Sequence, residues 1–578
     1  VIPAPIPTHG TLVHRAGWWL IAAEPHALMR LRRWVGRLDA DEHDQLRLRR
    51  SPEVDRDLQC FLDRFPLEMS AGDARLLHMG AEAHRAMGRT VAAVAAGTFV
   101  ARAFDLAVPP RDYQRIAADL WLHVRAMILG DDMGLGKTAT AIAGLSDPAT
   151  RPALVVTLTH LPEQWRREID RFCPGMRILI LDGTKPYDVA EAWARQETRR
   201  TGRRVAPAFP DVLITTYHRI AGWAEALAPK LRGLVYDEVQ ELRHNDTAKY
   251  KAAAHLSAGA TYRIGLSATP IHNYGGEFFN VVEAVRPGAL GSREEFVREW
   301  CVSGEEERKT RVRDTRAFGL YLRESGIMLR RTRKEVGREL PPLTVVPHHI
   351  EADLAALDRV AGSAAELARI IIGQRTSNFD RMKASGDLDR LMRQATGIAK
   401  APYIADFVQM LVESGERPVV YLWHREVYAI VQAKLRELKP SMFTGSESTV
   451  AKRENLRRFT SGETPVLLMS LRSGAGVDGL QHASRTVVIG ELDWSPVVHD
   501  QAIGRVDRDG QPDKVVAYYL LADVGSDPTV ADACGAKAAQ SGTIRDPRRE
   551  LVSIPQVDPG RVRQLAEAFL ASRAGRRR

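Results

Sequence analysis

Residues 127–129 form a short apolar run, and Gly130 to Thr138 (GDDMGLGKT) follow it directly, ahead of a segment with helical periodicity. Such a succession leaves few architectures open. A buried strand that hands over to a helix needs a parallel neighbour reached by a crossover, hence a sheet covered by helices on both faces. The alternation repeats: runs at 153–158, 178–181, 212–216, 234–237 and 262–266 read as further strands, with helical segments such as 162–172 between them. It resumes after Lys400, with strands at 418–423, 465–469, 486–489 and 515–521. The expected fold class is α/β, with two parallel-sheet lobes in tandem.

Five segments follow from these runs. Residues 1–108 contain two short strand-like stretches in TLVHRAGWWLIAAEP and a basic amphipathic helix in HALMRLRRWVGRL, which together predict an α+β accessory domain. Residues 109–284 form the first lobe, 285–399 a charged helical insertion and linker, and 400–541 the second lobe. A basic tail, 542–578, carries a last helix ending in AGRRR. Inside the insertion, the paired prolines of LPPLTVVP (340–347) break helix and mark a linker.

Composition narrows the function classes. The 578 residues suffice for several separate cores, and no stretch has the apolar length of a membrane span, nor is there a charged leader with a cleavage site. A cytoplasmic protein without a membrane partner is expected. The net charge of +10 favours a polyanionic partner. Four scattered cysteines without a CxxC pair, and seventeen histidines without ligand spacing, predict neither a zinc site nor a disulfide framework.

The glycine-rich turn carries chemistry. Gly134 and Gly136 let backbone N–H groups turn inward around phosphate oxygens at the mouth of the helix that begins near Lys137. Lys137 would charge-pair with the β and γ phosphates of ATP, and Thr138 would offer its hydroxyl to Mg2+. The loop Asp131, Asp132, Met133, Gly134, Leu135, Gly136, Lys137, Thr138 departs from the general pattern in that Asp131 stands where its first glycine belongs. Further on, LVYDEVQ ends a buried run at two adjacent carboxylates, at the carboxyl edge of the same sheet. There Asp237 would hold Mg2+ through water and Glu238 would orient and deprotonate the attacking water. In QAIGRVDRDGQ, Arg505 and Arg508 stand three apart and would share one helix face, where a charged finger can neutralise transition-state charge on the γ-phosphate.

In their order these motifs resemble the Swi/Snf-type family of helicase-like ATPases in helicase superfamily two, over about residues 111–537. The matching pieces are RDYQ, DDMGLGKT, VVTLTHLPEQW with Trp165, ITTYHRI, YDEVQELRHN, GLSATPIHN, LRRTRKEVGRELPP, VLLMSLRSGAGVDGLQ, IGELDWSP and QAIGRVDRDGQ. The resemblance implies two RecA-like lobes and a double-stranded DNA translocase driven by ATP hydrolysis, closest in layout to the annealing-helicase branch and its bacterial and phage-encoded relatives, hence a bacterial or phage origin. It further implies adenine recognition by Gln114 and a catalytic role for Gln501. Thr157, Thr159, Thr215, Thr216, Ser470 and Trp494 would contact DNA, duplex or branched, through its backbone and without sequence preference. Gln240 stands where the family usually has His, which puts in question how the acidic box couples to Ser267, Ala268 and Thr269. The competing readings are a strand-separating helicase, an ATPase subunit of a restriction or defence complex, and a non-catalytic DNA-binding scaffold.

Overall fold

The computed structural model describes residues 8–532 and 534, apart from 36–38, 41–45, 160, 269–274, 303–309, 339–342, 373–377, 472–476 and 478. The tail 542–578 with its expected helix, Thr269, and residues 473–476 of the second lobe's glycine-rich segment lie outside the described residues. The chain divides into two compact units: Val1–Asp131 with Gly136–Arg330, and Asp132–Leu135 with Arg331–Arg578.

In the first unit, strands β1 (Gly10–Arg15), β2 (Trp18–Ala23), β3 (Asp39–Ala40) and β4 (Leu46–Arg49) form an antiparallel sheet of order β1-β2-β4-β3. Strict alternation sends Leu12, Trp19, Ile21, Leu46 and Leu48 to one face, where they pack with Leu31, Leu58 and Phe61 from the neighbouring helices into a core of their own. Trp19 is wholly buried, and its indole N–H donates to Asp55 Oδ1 at 2.7 Å. The accessory segment therefore has its own core yet clusters with the first lobe.

That lobe is a seven-stranded parallel sheet built from β5 (Ala126–Leu129), β6 (Ala153–Thr157), β7 (Ile178–Ile180), β8 (Val212–Thr216), β9 (Gly233–Asp237), β10 (Tyr262–Leu266) and β11 (Met328–Leu329), ordered β11-β5-β10-β9-β6-β8-β7. Its central strands are buried throughout, which is why they read as unbroken apolar runs. Helix Pro162–Phe172 shows how the covering layer forms. Proline occupies its first turn, and Trp165, Ile169 and Phe172 recur on one face to enter the core. Each such burial contributes about 1.5–3 kcal/mol.

The second unit holds a six-stranded parallel sheet of β12 (Thr344–His349), β13 (Val419–Leu422), β14 (Ser441–Phe443), β15 (Leu467–Ser470), β16 (Thr486–Ile489) and β17 (Val516–Leu521), ordered β12-β17-β16-β13-β15-β14, with an apolar cluster on each face. Two expectations need correction. The stretch read as a linker supplies β12, an edge strand that tolerates Pro347 because an edge leaves one side of the backbone without a ladder partner. Nor does 285–399 stay together as an insertion: β11 completes the first sheet, and the chain passes to the second unit after Arg330. Among the described residues no helix is long and apolar enough to cross a membrane.

Candidate functional site

Parallel pairing puts every carboxyl end of the first sheet on one edge. Leu266 of β10 lies in register with Leu129 of β5 on one side and with Asp237 of β9 on the other. The turn after β5 and the carboxylate ending β9 are thus separated by a single strand, about 10 Å, which is room for phosphates between them.

Gly134 and Gly136 both adopt positive φ, 83° and 71°, and helix Lys137–Ser146 starts directly after Gly136. A Cβ on Gly136 would sit 2.5 Å from Gln114 Nε2 and displace that side chain, while the positive φ is what calls for glycine. The same contact brings Gln114, buried in helix Asp112–Val124, beside the turn. Lys137 extends its ammonium to the Asp131 carbonyl at 2.7 Å and lies close enough to Asp237 to stabilise its charge.

Asp237 is held before any ligand arrives. Its Oδ2 accepts from Thr157 Oγ1 at 2.9 Å and from the Trp165 indole N–H at 2.8 Å, while the Tyr217 hydroxyl donates to its carbonyl at 2.8 Å. Burial, reinforced by the Glu238 charge next door, pushes the Asp237 carboxyl up to about 6; the bonds from Trp165 and Thr157 and the Lys137 ammonium pull it back. Glu238 adopts the left-handed conformation, φ 53° and ψ 55°, a strain of about 1–3 kcal/mol of the kind that collects at working sites. Its Oε2 accepts from Gln240 Nε2 at 2.6 Å. The residue that departs from the family pattern thus acts on the carboxylate expected to handle water.

In the second unit, helix Pro496–Ile503 carries half-buried Gln501 and stops at Gly504. Arg505 and Arg508 follow in the turns beyond it, so they do not share a helix face as expected. The bond from Asp507 N to Ile503 O closes the first of these turns. Between and beside the two arginines, Asp507 pairs with Arg333 at 2.8 Å and Asp509 with Arg338 at 2.7 Å. Sequence reasoning assigned Arg333 and Arg338 no role; both lie in the LRRTRKEVGREL segment, whose arginine density was the available signal.

Most of the expected DNA-contacting hydroxyls are placed elsewhere. Thr157 and Thr215 are 0% exposed, Thr216 3% and Ser470 8%, so they present no hydroxyl to a backbone; Thr157 serves Asp237 instead. Thr159 is exposed. Trp494 is half-buried, its indole N–H donating to Asp389 Oδ1 at 2.8 Å.

Comparison with known proteins gives the family of the chain. The model of the SNF2-related domain matches residues 29–358, and that of the helicase conserved C-terminal domain matches 400–510. The chain is 23% identical over 454 residues to the CHD3-type chromatin-remodeling factor PICKLE of Arabidopsis thaliana, covering 69% of this chain and 31% of that protein. It is 26% identical over 468 residues to the DNA annealing helicase and endonuclease ZRANB3 of Mus musculus, covering 77% and 42%. It therefore spans less than half the length of these relatives. Among solved structures, the Sulfolobus solfataricus SWI2/SNF2 ATPase core in complex with dsDNA is similar at 19% identity and a TM-score of 0.36, covering 79% of this chain and all of that one.

Proposed function

The chain belongs to the SNF2-related family of helicase-like proteins, and on that premise we propose that it hydrolyses ATP to move along double-stranded DNA. The observation that supports this most directly is the preset carboxylate pair at the sheet edge. Asp237 is aimed by Thr157 and Trp165, and Glu238 is held by Gln240, one strand away from a turn that can wrap phosphates. Preorganisation of this kind lowers a barrier because no reorganisation is left for the moment of reaction.

The donor set suits Mg2+: the Thr138 hydroxyl and the Asp237 carboxylate are hard oxygen ligands, and the bound ion would neutralise phosphate charge. Lys137 fixes the phosphates, Gln114 meets the adenine, and Glu238 accepts the proton of the attacking water. Arg505 and Arg508 stabilise the charge that grows on the γ-phosphate. DNA is bound through its backbone, duplex or branched, in the cytoplasm of a bacterial or phage-infected cell. Residues 1–108 form an accessory domain that selects the DNA structure. The annealing-helicase relative favours translocation over strand separation as the motor's output.

Steady-state ATPase activity titrated with duplex, single-stranded and forked DNA, and with RNA, tests the reading. Stimulation by duplex and forked DNA well above the other two is expected. Activity that ignores nucleic acid, or prefers RNA, overturns it.

A further inference from the structure

Away from the sheet edge, three side chains of the accessory module converge. His9, just before β1, turns Nδ1 to Glu24 Oε2 at 3.1 Å, and His26 turns Nδ1 to the same oxygen at 3.4 Å. All three ligand atoms lie within 4.8 Å of one another. Donors bound to zinc at about 2.0–2.1 Å with tetrahedral angles stand about 3.3–3.4 Å apart, so the two separations to Glu24 fall within a few tenths of an ångström of those between zinc-bound donors.

The backbone positions the cluster. His9 N donates to Pro66 O and Glu24 N to His9 O, both at 2.8 Å, which fixes the start of β1 against the turn that enters helix Pro25–Trp34. Glu24 is the N-cap of that helix but makes no side-chain cap bond; its carboxylate goes to the histidines instead. The two imidazoles meet edge to face at 5.1 Å, and Phe65 packs against both, at 5.8 and 6.1 Å, limiting their rotation.

We propose that His9, Glu24 and His26 bind a zinc-class transition-metal ion, which fastens the chain before β1 to the first turn of helix Pro25–Trp34. Two imidazoles with one carboxylate suit Zn2+, Co2+ or Ni2+ rather than Mg2+ or Ca2+, which take oxygen donors. Three protein ligands leave a fourth position for water. This site is separate from ATP hydrolysis and does not depend on that reading. It also explains why histidine spacing gave no warning: His9 and His26 are seventeen positions apart, and only the fold brings them together.

The test uses the full chain, stripped with chelator and titrated with ZnCl2 by calorimetry at about pH 7.5. Wild type should bind one more tight equivalent than Glu24→Gln or His26→Asn, and zinc should raise its melting temperature but not theirs. Co2+ should give visible d–d bands in wild type that both variants lose. Metal-free melting curves and the far-ultraviolet spectrum show whether the variants stay folded. Equal zinc stoichiometry in wild type and variants, meaning an adventitious ion only, overturns the site, as does a Co2+ spectrum unchanged by either substitution.

Discussion

Asp237 meets any incoming ligand with Oδ2 already bonded twice, and the two donors can be separated experimentally. Trp165→Phe keeps the apolar packing against Ile169 and Phe172 but removes the indole N–H. A hydrogen bond to a charged group is worth about 1.5–3 kcal/mol, so the magnesium concentration that half-saturates ATPase activity should rise roughly tenfold or more. An unchanged magnesium titration would mean that Thr157 alone orients the carboxylate. Lys137→Ala and Glu238→Gln should both lower turnover by about a hundredfold or more, for different reasons. The first weakens nucleotide binding, whereas the second leaves it intact, which equilibrium binding of a fluorescent ATP analogue distinguishes. Wild-type turnover in Glu238→Gln would exclude it as the base.

Single elements carry their own consequences. Cross-strand register in the antiparallel sheet places Arg15, Trp18 and Arg49 in one row and Val13, Leu20 and Arg47 in the next, on the face opposite the core. The Arg47 guanidinium lies 4.6 Å over the Trp18 ring, while Asp39 pairs with Arg47 in register at the rim. The neighbouring tryptophan, Trp19, belongs to the core. If this face reads DNA structure, Trp18→Ala with Arg15→Ala and Arg49→Ala should abolish the preference for forked over plain duplex and leave duplex-stimulated ATPase within about twofold. Base stacking on an aromatic ring, worth about 1–3 kcal/mol, sets the size of the loss. An unchanged preference makes the module a structural cap. In the second unit, His499 on helix Pro496–Ile503 accepts the Asp493 N–H through Nε2 at 2.8 Å, and burial pushes its imidazole down to about 4. Its folded pKa is depressed, so its contribution to stability is complete above the unfolded value near 6.5 and is lost as pH falls toward 4. The full loss is about 3 kcal/mol. Denaturant titrations between those pH values should show the slope flattened in His499→Asn, whose amide oxygen can still accept the bond.

For the whole molecule, the output of the motor is the property to measure. Backbone contacts alone do not offset the stacking lost on parting a duplex, about 1.4 kcal/mol per base-pair step. The protein should therefore displace a third strand from triplex DNA in an ATP-dependent way and fail to unwind a plain tailed duplex. Unwinding of the tailed duplex without triplex displacement would promote the strand-separating helicase reading instead.

Much of this was determined by local sequence. The apolar runs of β5, β6, β8 and β9 announce strands because strands buried on both faces need no alternation, and the glycines of the turn announce positive φ because other residues resist it. Asp237 and Glu238 could be named because they close such a run, and Lys137 and Thr138 because they open the helix that follows the glycine turn. What tertiary structure alone decided depends on residues far apart in the chain. A threonine and a tryptophan, eighty and seventy-two positions before Asp237, become its hydrogen-bond donors, and a proline-bearing stretch becomes an edge strand through pairing with β17. Helix Pro496–Ile503 ends before its arginines, and two histidines and a glutamate converge from either side of a hairpin. Periodicity and turn chemistry report on neighbours within a few residues; a hydroxyl's partner, like a ligand's, is set by which strands lie side by side.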